Sequence, residues 1–319
     1  MIITVTLNAA IDKSLSVPSF QLGRRHRTVE RRALSGGKGV NIARMLKTLG
    51  QPVIATGFQG GPTGTQIVAQ LGEESILHDF VRIHEESRTN TAVLDPTTGE
   101  QTEINEQGPT IDPDELELFR EKLLYLARGA AIVVFAGSLP RGIEPSFYAQ
   151  LVRAMHKLDV MTIVDTDGEA LRLAVRAEPD VVSPNVVEAE ELVGHEFNDD
   201  ADHAGAVREI VALGARSAIM TMPDGCWAQM LSEGSPRVYR VTVPPQDSVA
   251  TVGSGDAFLA GYIAARYRGS APAECLSFGV ACGAESTGRL GAGLIDVREV
   301  DRLLADVAAS EVELPAGVG

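Results

Sequence analysis

Thr251-Val252-Gly253-Ser254-Gly255-Asp256-Ala257-Phe258 follows a β-like segment and opens an apolar helix. Glycines at such a junction let backbone amides converge on one point, and the helix start adds partial positive charge, so the stretch is a ready anion site. The chain has no GxxxxGKS/T motif, and Phe258 stands where a GxGxxG turn needs its third glycine, which argues against both P-loop and dinucleotide-binding readings. Asp256, in the first helical turn, has two readings. It is either a favourable charge at a helix start or a base that takes the proton of a hydroxyl attacking a phosphoryl group held by those amides.

Outward from this junction, short β-rich runs alternate with helical stretches. Ile2–Leu7, Val53–Gly57, Ile132–Ala136, Val160–Asp165 and Ser217–Thr221 read as strands. Val40–Leu49, Gln66–Leu71, Phe147–Lys157, Ala170–Val175, Gly255–Arg266, Ala273–Thr287 and Val297–Ala308 read as helices. The alternation predicts an α/β fold, a mostly parallel sheet with helices on both faces. Cys226–Leu231 and Arg237–Val243 form a hairpin-like pair and predict an antiparallel margin. Two stretches, about 12–35 and 88–105, carry β-like runs without helices between them, the second around the turn Asp95-Pro96-Thr97-Thr98-Gly99. They predict a small protruding sheet, a lid or contact surface. Pro315–Gly319 reads as a frayed end.

Composition narrows the function classes. The 319 residues carry 28 Lys plus Arg against 43 Asp plus Glu, a net charge of −15, which speaks against a surface built to neutralise nucleic acid. The apolar run Ala130–Ala136 is far short of the roughly 20 residues that span a bilayer, so no membrane association is expected. Three cysteines without a CxxC pair suit a reducing compartment, and a cytoplasmic location is the expectation.

In an open parallel sheet, ligands bind beyond the carboxyl ends of strands, where loops enter helices. Three further loops fit. Ser35-Gly36-Gly37-Lys38-Gly39-Val40-Asn41 lets a polyhydroxylated ligand approach the backbone while Lys38 meets an anion, or is simply a flexible turn. Gly137-Ser138-Leu139-Pro140-Arg141-Gly142 suits a site loop or an ordinary strand-to-helix turn. Pro184-Asn185-Val186-Val187-Glu188 places Asn185 and Glu188 on one face at a helix start, suited to magnesium held partly through water or, equally, to a capping box. Between Arg24 and Lys38, six cations face the single acid Glu30, and alternation puts Arg25, Arg27 and Arg31 on one strand face. They read as a solvated face, or Arg27 joins Arg88 and Arg141 in clamping a phosphate.

Taken together, GGKGVN, GSLPRG, PNVVE and TVGSGDAF stand in the order and spacing of the ribokinase-like sugar kinases, the PfkB family, and the chain resembles that family from Leu7-Asn8 to Gly291-Ala292-Gly293. Lys38 inside the glycine loop and the segment Gln101–Pro109 make it most similar to the branch of 1-phosphofructokinases and tagatose-6-phosphate kinases. The resemblance implies one ribokinase-like three-layer αβα domain over 1–319 with the two lid segments, and ATP-dependent phosphoryl transfer to a hydroxyl of a phosphorylated ketohexose. Fructose 1-phosphate comes first, with tagatose 6-phosphate or fructose 6-phosphate as alternatives. It implies Asp256 as base and Gly253, Ser254 and Gly255 as anion hole. Asp12, Gly36, Gly37, Asn41, Asn90 and Ser138 would hold the sugar, and Arg27, Lys38, Arg88 and Arg141 its phosphate. Ser183, Asn185, Thr221, Gly225 and Gly283 would approach ATP, Asn185 and Glu188 would hold Mg2+, and the lid would pair two copies into a homodimer. Departures from the family pattern are Pro223 and Cys226, where relatives usually carry glycine-rich nucleotide contacts, Ala9 for a proline in the first-strand motif, and Ala250 before the TVGSGDAF motif. The first two motivate a rival reading, a sugar-phosphate-binding protein without catalysis; a kinase for an unphosphorylated sugar is another.

Overall fold

The structure is a computed structural model that describes residues 1–232, 234–246, 252–289 and 291–312; Ala250, Thr251 and Pro315–Gly319 lie outside the described residues. The chain runs β1 (Ile2–Thr6), β2 (Ala10–Ser16), β3 (Glu30–Gly36), α1 (Lys38–Thr48), β4 (Val53–Gly60), α2 (Gly61–Glu73), β5 (Leu77–His78), β6 (Val81–Ile83), β7 (Arg88–Leu94) and β8 (Gln101–Asn105). It continues α3 (Pro113–Ala127), β9 (Ile132–Ala136), α4 (Phe147–His156), β10 (Met161–Asp165), α5 (Gly168–Val175), β11 (Val181–Val182), α6 (Val186–Val193) and α7 (Asp200–Ala212). The last elements are β12 (Ala218–Met222), β13 (Gly225–Ser232), β14 (Ser235–Thr242), α8 (Ser254–Tyr267), α9 (Pro272–Ser286), α10 (Val297–Leu304) and β15 (Ala308–Glu311).

β1 is β-branched throughout and β9 is β-branched or aromatic up to Ala136; both are buried at every residue, as strands covered on both faces must be. They pair in parallel at the centre of the main sheet, whose order is β15-β14-β13-β12-β11-β10-β9-β1-β4-β5, with β6 also on β4. The pairs from β4 through β12 are parallel, and the hairpin β13–β14 with β15 forms the antiparallel margin. Helices α1, α8 and α9 bury their apolar sides in one core layer, α3, α4 and α7 in the other. Among the described residues no helix is long and apolar enough to cross a membrane.

The lid is a separate four-stranded sheet, β3-β2-β7-β8, in which β2 pairs antiparallel with β3 and parallel with β7. Asp95 fastens it, accepting from the amides of Ser19, Phe20 and Thr97 at 2.9, 2.7 and 2.9 Å.

Three sequence expectations need correction. β3 begins only at Glu30, so Arg25 and Arg27 sit in the loop before it, and only Arg31 of that trio is on a strand. The helix expected over Val297–Ala308 ends at Leu304, and Ala308 starts edge strand β15 beside β14. Helices α3 and α7 have no counterpart among the sequence expectations. The first has a charge-rich sequence and buries only Glu115, Phe119, Leu123 and Ala127, a narrow stripe.

Candidate active site

The carboxyl ends of β10, β11 and β12 and the lid enclose a cleft of about 490 Å³. The start of α8 forms one wall. Gly253 takes a left-handed φ of 86° to turn the chain into the helix, which an L side chain would resist. The amides of the first turn then have no intrahelical acceptor and face the cleft end of a helix dipole. Asp256 is 6% exposed there and receives the Asn41 side-chain amide at 2.8 Å. Burial pushes its carboxyl up to about 7; Lys38 pulls it down and Asp165 pushes it further up. A carboxylate so tuned is ionised in useful amount near neutral pH yet basic enough to accept a proton, which a helix-start charge alone does not require.

The opposite side of the cleft is built by α1 and the lid. Gly37, with φ 97°, turns β3 into α1. Lys38 donates to Asp165 at 2.7 Å across the cleft; burial would lower its pKa, but Asp165, Asp256 and Glu188 together raise it, so it stays an ammonium. Asp12 of β2 accepts from Asn90 of β7 at 2.9 Å, and a side chain on Gly36 would overlap the Asp12 carboxylate. Burial raises Asp12, against the hydrogen bonds of Asn90 and Gly37. Arg88 enters from β7 and donates to the carbonyls of Asn8 and Glu106 at 3.1 and 3.0 Å.

A second hollow, about 610 Å³, adjoins the first and shares Asn185, Thr221, Ser254 and Gly255 with it. Its walls are largely apolar, from Val186, Met222, Pro223, Val243, Phe258 and Val280, with Gly225 and Gly283 also on the lining. Such walls suit a flat aromatic group, and the residues shared with the cleft, Gly255 among them, lie at its polar end. Pro223 and Asp224 form the β12–β13 turn, and Arg240 clasps Asp224. Cys226 is fully buried among the core residues beneath α8 and α9, where burial pushes its thiol up to about 12, and it does not line either hollow. Gly225, at φ 140°, is held to glycine by the sheet as well, because a side chain there would overlap the Val241 carbonyl.

Of the residues singled out from sequence, Asp12, Gly37, Lys38, Asn41, Arg88, Asn90, Ser183, Asn185, Glu188, Thr221 and Gly253–Asp256 line the first cleft. Four do not. Gly36 backs Asp12, and Ser138 accepts from Asn8 at 3.2 Å behind the wall. Arg141 pairs with Glu85 at 3.1 Å in a neighbouring hollow that it shares with Arg88. Arg27 is exposed on the β2–β3 loop and lines neither the cleft nor the apolar hollow. The expected capping box forms: Asn185 accepts from the Glu188 amide and Glu188 from the Asn185 amide, each at 2.9 Å. Asp165 escaped the sequence reading, although its place at the carboxyl end of a parallel strand was a usable signal.

The profile of the pfkB family carbohydrate kinases matches residues 5–298. The chain is 31% identical over 312 residues to a 1-phosphofructokinase of Borreliella burgdorferi, covering 98% of this chain and 99% of that one. It is 32% identical over 316 residues to a tagatose-6-phosphate kinase of Staphylococcus epidermidis, covering 98% and 100%. Among solved structures, phosphofructokinase-2 of Escherichia coli in complex with substrates and products superposes with a TM-score of 0.87 at 29% identity, covering 95% of this chain and 98% of that one.

Proposed function

Because the chain belongs to the pfkB family of carbohydrate kinases, we propose that it transfers the γ-phosphoryl group of ATP to a hydroxyl of a phosphorylated ketohexose in the cytoplasm, with fructose 1-phosphate the first candidate and tagatose 6-phosphate and fructose 6-phosphate next. The observation that carries this reading is the position of Asp256: a buried carboxyl, raised to about 7, in the amide-rich first turn of α8, on the polar cleft and within two residues of Ser254 and Gly255, two of the four positions that this cleft shares with the apolar hollow.

In this reading the sugar lies against Asp12, Gly36, Gly37, Asn41 and Asn90, with Ser138 behind, and its phosphate meets Arg88 and Lys38. Asp256 removes the acceptor proton as the oxygen attacks in line. The Gly253–Gly255 amides meet the charge that builds on the equatorial oxygens, a stabilisation made in the transition state rather than the ground state. Ser183, Thr221, Gly225 and Gly283 receive the nucleotide. The oxygen donors Glu188 and Asn185 fit a magnesium ion held partly through water, since Glu188 faces the cleft and keeps one carboxylate oxygen beyond the one in the helix cap. Such an ion would supply charge neutralisation of the phosphates.

The chain acts as one unit over 1–319, and its lid pairs two copies. Leu22, Val29 and Ile104 are exposed on or beside the lid, at 91%, 69% and 62%. Arg27 then serves a phosphate only by reaching across that pair. Arg141 reaches one only if Glu85 releases it.

An ADP-release assay on fructose 1-phosphate, tagatose 6-phosphate, fructose 6-phosphate and ribose tests the proposal. Turnover on at least one sugar phosphate well above ribose is expected. Ribose as the best acceptor, or no ADP from any, overturns it.

A further inference from the structure

A hollow of about 410 Å³ opens at the edge of the main sheet opposite the catalytic cleft. β9, β10, β11 and β12 begin there, whereas β9 and β10 end near the cleft; five residues of strand separate the two edges by about 17 Å. Met161, Val181 and Met230 make its walls apolar. Three polar groups on this lining stand without a partner among the described residues: the buried His156 Nε2, the Tyr262 hydroxyl and the Arg266 guanidinium. Tyr262 is 1% exposed, and its hydroxyl makes no hydrogen bond among the described residues. Burial raises the phenol, so it is a neutral donor and acceptor. Arg266, one turn further along α8 and exposed, makes no ion pair among the described residues.

The other charges at the hollow are committed or peripheral. Asp180 accepts from the Thr162 amide and hydroxyl at 2.7 and 3.1 Å and from Arg216 at 3.0 Å. Asp159 is exposed at the rim. What remains on offer is one guanidinium, one hydroxyl and the His156 ring nitrogen above an apolar floor. A hydroxyl that lacks a protein partner gains from a group that completes it. Water completes a hydroxyl but has no use for the apolar walls or the guanidinium.

We propose that this hollow binds a small organic anion, its carboxylate or phosphate on Arg266 and Tyr262 and its apolar body against Met161, Val181 and Met230. The site is independent of the kinase reading, shares no lining residue with the cleft, and is tested by binding rather than turnover.

The probes are phenyl phosphate and benzoate, with inorganic phosphate as the anion lacking an apolar body, titrated calorimetrically into the full chain and into Tyr262→Phe and Arg266→Ala. Tyr262→Phe keeps the buried ring and Arg266 is on the surface, so both variants should fold, which matched circular dichroism checks. The expected result is saturable binding of at least one aromatic anion, weakened fivefold or more in both variants, and inorganic phosphate at least tenfold weaker. The aromatic anion that binds more tightly identifies the head group. No saturable binding, either variant binding like the parent, or inorganic phosphate binding equally well overturns the proposal.

Discussion

Asn41 of α1 holds the carboxylate of Asp256 of α8 with a 2.8 Å hydrogen bond, joining two helices that flank the cleft from positions 215 residues apart. Behind it, Arg44 donates to the Asn41 oxygen at 3.4 Å and to Glu74 and the Ser35 carbonyl, so the amide's orientation is fixed from the far side. The proposed base is thus aimed by a chain of side chains that starts outside the cleft.

Asp256→Asn should lower kcat by about 10³-fold, within the range a lost general base produces, while the KM for the sugar phosphate changes less than fivefold. The same variant should be more stable than the parent at pH 8. The native pKa of Asp256 stands above its unfolded value, so the folded state holds the proton more tightly, and stability falls as pH rises from about 4 to about 7. Asparagine removes that loss, by about 1 kcal/mol or more at pH 8. Thermal melts at pH 5 and pH 8 check it: the variant's advantage should be clearly larger at the higher pH.

The pH profile of the parent should show kcat/KM falling as pH drops through about 7, the value of the carboxyl that must be ionised to act. Asn41→Ala removes a donor that favours the ionised form, so this acid limb should move to higher pH. Asp165→Asn removes a neighbouring negative charge and should move it to lower pH. Opposite displacements in the two variants are the signature; a limb that moves in neither variant assigns it to another group.

Much of this was legible in sequence because it is local. β1 declares itself by an unbroken β-branched run and β9 by an unbroken apolar one, and the lid by a turn whose Asp95 and Gly99 do the work expected of them, Gly99 at φ 78°. The glycine loops at Gly37 and Gly253 were equally plain, since a positive φ at a strand-to-helix junction calls for glycine. What stayed hidden depends on distant partners. Nothing near Arg141 announces that Glu85, 56 positions away, takes its guanidinium, and nothing near Lys38 announces Asp165, 127 positions away. β15 is exposed at all four residues, so no alternation marks it as a strand. Cys226 looked like a loss to nucleotide binding because its position was compared with glycine; its thiol packs inward instead.

Glu85→Gln should lower the KM for the sugar phosphate severalfold if Arg141 serves that phosphate, because the carboxylate that now holds the guanidinium at 3.1 Å competes with the substrate. Glu85 is set as a strong competitor: the Thr110 amide donates to it at 2.6 Å, and that bond with the nearby Arg141 keeps its carboxyl below the usual range. Initial-rate kinetics at varied sugar phosphate and saturating ATP read the change. An unchanged or higher KM would leave Arg141 a structural residue of the Gly137–Gly142 loop.

Arg88→Ala separates acceptors by charge. The guanidinium lines both the cleft and the hollow that holds Arg141, and its two hydrogen bonds go to main-chain carbonyls, leaving its charge unpaired by any carboxylate within ion-pair distance among the described residues. A phosphate on the sugar supplies the missing anion through a charge-assisted contact, worth about 1.5–3 kcal/mol, so its loss should raise the KM of the sugar phosphate by at least tenfold. The KM for ATP should stay within twofold, because the apolar hollow lies on the other side of α8's first turn and Arg88 does not line it. Removing the side chain also frees the Asn8 and Glu106 carbonyls, so circular dichroism and melting temperature must match the parent before the kinetics are read. With the fold intact, a sugar-phosphate KM that stays unchanged would place the acceptor's phosphate away from Arg88, and the acceptor would have to be sought among neutral sugars.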